Sequence, residues 1–210
     1  MRTQMILWLL FGTCSDAMSS TGADTGQPVL NVLVSDQVGI GDSALRITTD
    51  VAKQILGEAG IVTNWVTCPP AQSDGASNTK CPAETTQPDM SVRILARPLE
   101  SHRVQATAMG MALLGEPEEL ANFAYVYYDR VSRLANLRAC TIFRVLGHVI
   151  AHEIGHLLGT EHSWKGIMRA EWSRDQARQM STGYLLFPPD QVKTIRQNVR
   201  ERIRLRRLPG

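Results

Sequence analysis

The sequence predicts an α/β (α+β) fold, and three features carry that reading. Five short stretches have strand character: 29–34, 61–66, 91–96, 105–114 and 122–128. One helix-periodic segment lies between the first two, and a long apolar helix follows the last. A third helix closes the chain. At 210 residues the chain suits one compact domain, or one domain with a small appendage.

Each element has a local reason. Val29 to Val34 is a short apolar run bounded by polar residues, read as a buried strand. After Gly39 and Gly41, Asp42 or Ser43 can cap a helix in which Ala44, Ile47, Val51 and Ile55 recur at helical spacing. Gly57 or Gly60 ends it. Ile61 to Val66 and Ser91 to Ala96 read as the next two strands, separated by a polar loop over 68–89. The stretch 105–114 is read as a strand, because Gly110 and Gly115 would weaken a helix. Asn122 to Tyr128 has strong strand propensity. A helix then starts near Cys140 or Thr141 and ends at Gly159. Its apolar positions cover a broad arc, so it is expected to be largely buried. Residues 160–187 look irregular. The closing helix runs from about Asp190 to Leu205 behind Pro188-Pro189.

Charge and cysteines set further bounds. A formal net charge of +2 supplies no global field toward nucleic acid or a strongly acidic partner. The basic end of the last helix, with Arg200, Arg202, Arg204, Arg206 and Arg207, reads as a solvated helix terminus whose cations suit the dipole. The opening MRTQMILWLLFGTCSDA has a positive start, a short apolar block and small residues, the pattern of an export signal over 1–17. Residues 18–28 read as a flexible tail. A secreted or extracytoplasmic location follows, a lipoprotein through Cys14 ranking lower. No segment is long and apolar enough for stable membrane insertion. Cys68 and Cys81 flank the polar loop. A disulfide between them suits an oxidising compartment and would contribute roughly 3 kcal/mol in the chain-entropy model. Cys140 is expected to be a small buried residue.

The chemistry concentrates in GHVIAHEIGHLLGTEHSWKGIM, residues 147–168. Residues four apart on a helix are about 6 Å apart along its axis, so His148, His152 and His156 share a face while the outer two are about 12 Å apart. One ion cannot hold all three at zinc–nitrogen distances of ~2.0–2.1 Å. Glu153 decides which pair: it follows His152, within reach of a water on the metal, whereas Val149 follows His148. The HExxH order therefore makes His152 and His156 ligands and Glu153 the general base. Gly159 lets the chain turn off the helix, and His162 swings back as the third ligand. Three neutral imidazoles leave a fourth position for water, whose pKa zinc lowers to around 7. His148 is left with packing or a hydrogen bond, and His102 is read as a surface residue.

The extended pattern H-E-x-x-H-x-x-G-x-x-H resembles the metzincin clan of zinc proteases, and the stretch with Ser163 after the third histidine looks most like the matrixins. The resemblance implies that Met168 sits in a tight turn beneath the metal. It also implies a twisted mixed sheet of about five strands with two packed helices, over a catalytic domain at 29–207, divided into an upper part at 29–159 and a lower part at 160–207. In such a domain 105–114 would be the sheet edge lining the cleft, and 169–187 would wall a side-chain pocket in which Trp172 and Tyr184 either line the wall or pack in the core. The expected activity is that of a secreted, monomeric zinc endopeptidase with one catalytic Zn2+, acting on a peptide or protein and not on nucleic acid. The alternatives are a zinc-dependent endoribonuclease, opposed by Glu153 and Met168, and a catalytically silent zinc-binding protein.

Overall fold

The computed structural model describes residues 29–68, 89–115, 121–137 and 139–206. The expected export signal, the 18–28 tail, Cys81 and Arg207 lie outside the described residues.

Burial alternates along β1 (Val29–Asp36): Leu30, Val32 and Val34 are at most 1% exposed, Val29 is exposed, and Asn31, Leu33 and Ser35 are half-buried. That period of two is a strand with one face on the core. The strand ends at Asp36, whose buried carboxylate accepts the backbone N–H groups of Val38 and Gly39 on one oxygen and of Ile40 on the other, at 2.8, 2.9 and 2.8 Å. This turn feeds α1 (Asp42–Glu58), whose N-cap is Gly41 rather than Asp42 or Ser43. The chain returns as β2 (Val62–Cys68), parallel to β1, with Val29 opposite Val62. Next come β3 (Met90–Leu95), β4 (Gly110–Leu113) and β5 (Phe123–Tyr127). The sheet order is β2-β1-β3-β5-β4. All neighbours are parallel except β4, which runs antiparallel to β5 at the sheet edge. The strand expected over 105–114 is thus confined to its last part, and 105–109 is turn and coil.

The apolar helix is α3 (Ile142–Leu157), with Val145, Leu146, Ile150, Ala151 and Ile154 fully buried. It crosses close to α1 at Gly147, where a Cβ would come within 2.6 Å of the Thr48 carbonyl oxygen and 2.7 Å of Val51 Cβ. Cys140, just before it, is half-buried rather than buried. Two helices depart from the sequence reading. The helix α2 (Tyr128–Ala135) grows directly out of β5, where strand propensity masked the onset of helical periodicity in Val131 and Leu134. Within the stretch expected to be irregular lies α4 (Arg174–Thr182), started by a capping box between Ser173 and Gln176 and stopped by Gly183 at φ 80°.

The last helix, α5 (Pro189–Arg206), is not a solvated basic rod. Arg202 is buried and donates to the carbonyls of Ala121 and Leu157. Arg196 Nε donates to Ala59 O at 2.7 Å and Asn198 Nδ2 to Leu158 O at 2.8 Å. The C-terminal carbonyls of a helix have no partners within it. Here α5 supplies them for both α1 and α3. None of the helices among the described residues is long and apolar enough to cross a membrane.

Candidate metal centre

The helix α3 places His152 and His156 one turn apart, both lining a cleft beside the edge strand β4. It then ends in a Schellman turn: Gly159 N–H donates to His156 O at 2.9 Å and Thr160 N–H to Gly155 O at 3.0 Å, with Gly159 at φ 77°. Asn198 fills the space a Cβ on Gly159 would need. The reversal carries His162 back over the helix end. His156 Nε2 lies 3.1 Å from His152 Nε2 and 3.2 Å from His162 Nε2. The ligand atoms of all three lie within 4.8 Å of one another.

The ring orientations are set from behind. His152 Nδ1 is 2.8 Å from Ile167 O, and His156 Nδ1 is 2.8 Å from Thr160 O. A carbonyl can only accept, so each Nδ1 carries the proton and each Nε2 turns a lone pair into the space between the rings. Lone pairs at this separation repel unless a cation lies between them. Tetrahedral zinc with bonds of ~2.0–2.1 Å needs nitrogens about 3.4 Å apart. The observed spacing fits one zinc ion. Burial lowers the His152 pKa to about 3 and lowers that of His156 as well. Both imidazoles stay neutral at ordinary pH, the form a metal requires.

Met168 lies in the turn after His162 and is fully buried. A Cβ on Gly155 would come within 2.7 Å of its sulfur, so the glycine within HEIGH makes room for the thioether. The turn is held by Ser163 N–H to Met168 O at 2.8 Å and Ile167 N–H to Leu186 O at 3.0 Å. Gly166, at φ 67°, leaves space for Leu186 O. The same turn therefore seats the sulfur and presents the Ile167 carbonyl to His152.

Glu153 is 5% exposed and lines the same cleft as the three histidines, a space of about 330 Å³ between β4, α3 and the segment after Met168. Desolvation pushes its pKa up to about 8, opposed by a hydrogen bond from the Ala112 backbone. Trp172 stands in the cleft wall with its ring edge-on to His152 at 5.4 Å. Tyr184 is 79% exposed and is neither in the core nor among the residues lining the cleft. His148 is buried, with Nδ1 2.7 Å from the Arg144 carbonyl, and stands apart from the metal group. His102 departs from its expected surface place: it is half-buried, shares a 3.0 Å hydrogen bond with the Tyr127 hydroxyl and packs its ring, tilted by 50°, against that of Tyr125. Cys68 is buried at the end of β2, and its expected partner Cys81 lies outside the described residues.

The backbone groups of Ile167, Thr160 and Ala112 and the stop supplied by Asn198 were missed from sequence. Backbone groups leave no residue-type signal. Arg169 and Gly110, also in the cleft lining, could have been found only by knowing what they face.

No family model matches the chain, and no curated protein matches it. Solved structures do. The crystal structure of archaemetzincin from Methanopyrus kandleri matches with a TM-score of 0.52 at 13% identity, over 85% of this chain and 99% of that one. Metalloproteinase-II from Bacteroides fragilis matches with a TM-score of 0.50 at 14% identity, over 83% of this chain. The chain spans 54% of the length of that second protein. The chain shares its fold with an archaemetzincin and a metalloproteinase. At such identities the likeness is one of fold. It agrees with the mixed five-stranded sheet expected from sequence.

Proposed function

We propose that the chain is a secreted zinc-dependent endopeptidase in which His152, His156 and His162 hold the ion and Glu153 is the general base. The observation that carries this reading is the convergence of three histidine Nε2 atoms in a cleft that also holds a buried carboxyl group. A zinc ion bound there supplies Lewis acidity, lowering the pKa of water and polarising a carbonyl. The protein's own residues do the rest. Glu153 accepts a proton from the attacking water and delivers it to the leaving amine. The Ala112 N–H fixes the position of the carboxyl group.

Among the described residues the edge strand β4 pairs with β5 on one side only. Its other side faces the cleft with main-chain donors and acceptors. An extended peptide can add there as a further strand, which favours a polypeptide substrate over a compact one. Within the metalloprotease class we read the stretch as matrixin-like, on Ser163 after the third histidine; the link from His162 to Met168 is shorter than in most matrixins and implies a minimal lower part. Residues 1–17 are proposed as the export signal of a domain covering 29–207.

The test compares wild type with Glu153→Ala on casein and a peptide library. We expect retained zinc and at least ~100-fold less cleavage in the variant. Unchanged turnover would remove Glu153 from the mechanism, and RNA cleavage without proteolysis would replace the reading.

A further inference from the structure

Glu153 is the one carboxylate, and Arg169 the one guanidinium or ammonium group, among the described residues lining the cleft. Arg169 directly follows the turn that holds Met168 and is half-buried. One terminal nitrogen donates to the Trp164 carbonyl, which pins the head group. Its Nε is buried without a partner, and it makes no ion pair among the described residues. Glu171, two positions on, is exposed and does not pair with it. The other arginines of this region are differently engaged: Arg130 donates to the carbonyls of Gln105 and Ala108, and Arg133 pairs with Asp129.

A guanidinium held in place in the cleft with its Nε buried and unpartnered is costly to leave so. Its planar fork matches a carboxylate, which it can bind through two parallel hydrogen bonds. The histidines supply no anion to the cleft, and its one carboxyl group, Glu153, makes no ion pair with Arg169. We propose that Arg169 is the specificity-determining residue of the cleft and receives a substrate carboxylate close to the bond being cut. This rests on the peptidase reading. Two sources share that chemistry, an Asp or Glu side chain within the peptide and the free C-terminus of a short one.

The experiment measures binding, with the zinc-loaded full chain carrying Glu153→Ala so that turnover is slow against the titration. Peptides are matched in sets that differ by Glu against Gln, Glu against Lys, or C-terminal carboxylate against amide. Each is titrated with Arg169 intact and with Arg169→Gln, Arg169→Lys and Arg169→Glu. With Arg169 intact we expect about tenfold or tighter binding of the carboxylate member of a pair. Arg169→Gln levels the pair, Arg169→Lys keeps part of the preference, and Arg169→Glu turns it toward the Lys peptide. Zinc content and circular dichroism confirm that each variant is folded. The internal Glu pair and the terminal amide pair tell the two carboxylate sources apart. A preference that survives Arg169→Gln assigns the carboxylate to the ion or to another residue and overturns the proposal. Equal binding of all peptides, with casein still cut by wild type, overturns it and leaves the peptidase reading standing. If zinc-loaded protein neither binds nor cuts any peptide, both fall.

Discussion

Gly110 on β4 lies directly against the carboxyl group of Glu153 on α3. A Cβ at this glycine would collide with Oε1 and lie within 2.6 Å of Cδ. The edge strand and the carboxyl group therefore share one space, which is open only because residue 110 has no side chain. Gly110→Ala is expected to displace Glu153 while leaving the three histidines untouched. Peptide cleavage should fall about tenfold to a hundredfold, mainly in kcat, with zinc content unchanged. Full activity in that variant would mean that the carboxyl group has freedom the packing denies it.

The Nε2 of His156 lies 3.1 Å from that of His152 and 3.2 Å from that of His162, and carbonyls behind His152 and His156 hold those two rings. A cation relieves their mutual repulsion only in the folded protein, so binding should stabilise the fold by mass action. Chelation is expected to lower Tm by several degrees, and stoichiometric zinc to restore it. A Tm indifferent to both would argue that the rings are not a metal site.

His148 should make the metal-free protein acid-sensitive. Burial lowers its pKa from 6.5 to about 4, while the unfolded chain titrates near 6.5. Between those values the unfolded state binds more protons, so stability is full above about pH 6.5 and is lost as pH falls toward 4. The contribution is on the order of 3 kcal/mol. Denaturant melts of chelated protein at pH 7 and pH 4.5 should show a smaller drop for His148→Gln than for wild type. Parallel pH profiles of the two proteins would rule the histidine out as the source.

Asn198 should matter for zinc although it stands outside the motif. It holds the Leu158 carbonyl at the end of α3 and occupies the space beside Gly159. Asn198→Ala should cost about 1 kcal/mol of stability and weaken zinc binding through a looser turn. Gly159→Ala should be worse, because it adds strain at φ 77° and a clash with Asn198. Competition with a chromogenic chelator gives the affinities; wild-type affinity in both variants would show that the turn needs no support.

Much of this was legible from local pattern. The period of two in β1 and the apolar arc of α3 are written in consecutive side chains, and both elements lie where they were expected. The turn at Gly159 was readable because positive φ favours glycine. Two elements were hidden. The onset of α2 is covered by the aromatic, strand-favouring run that precedes it. The Ser173–Gln176 box and Gly183 did announce α4, but a weakly apolar nine-residue helix has little periodicity to detect. Arg202 was misread for a different reason: charge predicts exposure until a helix end needs its carbonyls capped.

The spacing of His152, Glu153, His156, Gly159 and His162 along the chain determined which atoms can meet, because helical pitch and one glycine turn are local properties. Only the tertiary structure decided what surrounds them. The Ile167 carbonyl behind His152, the β4 backbone that holds Glu153 and the Asn198 amide behind the Gly159 turn all come from segments whose meeting depends on how the sheet, α3 and α5 pack. Such contacts are long-range: chain neighbours do not encode them, and burial turns them from incidental proximity into fixed chemistry.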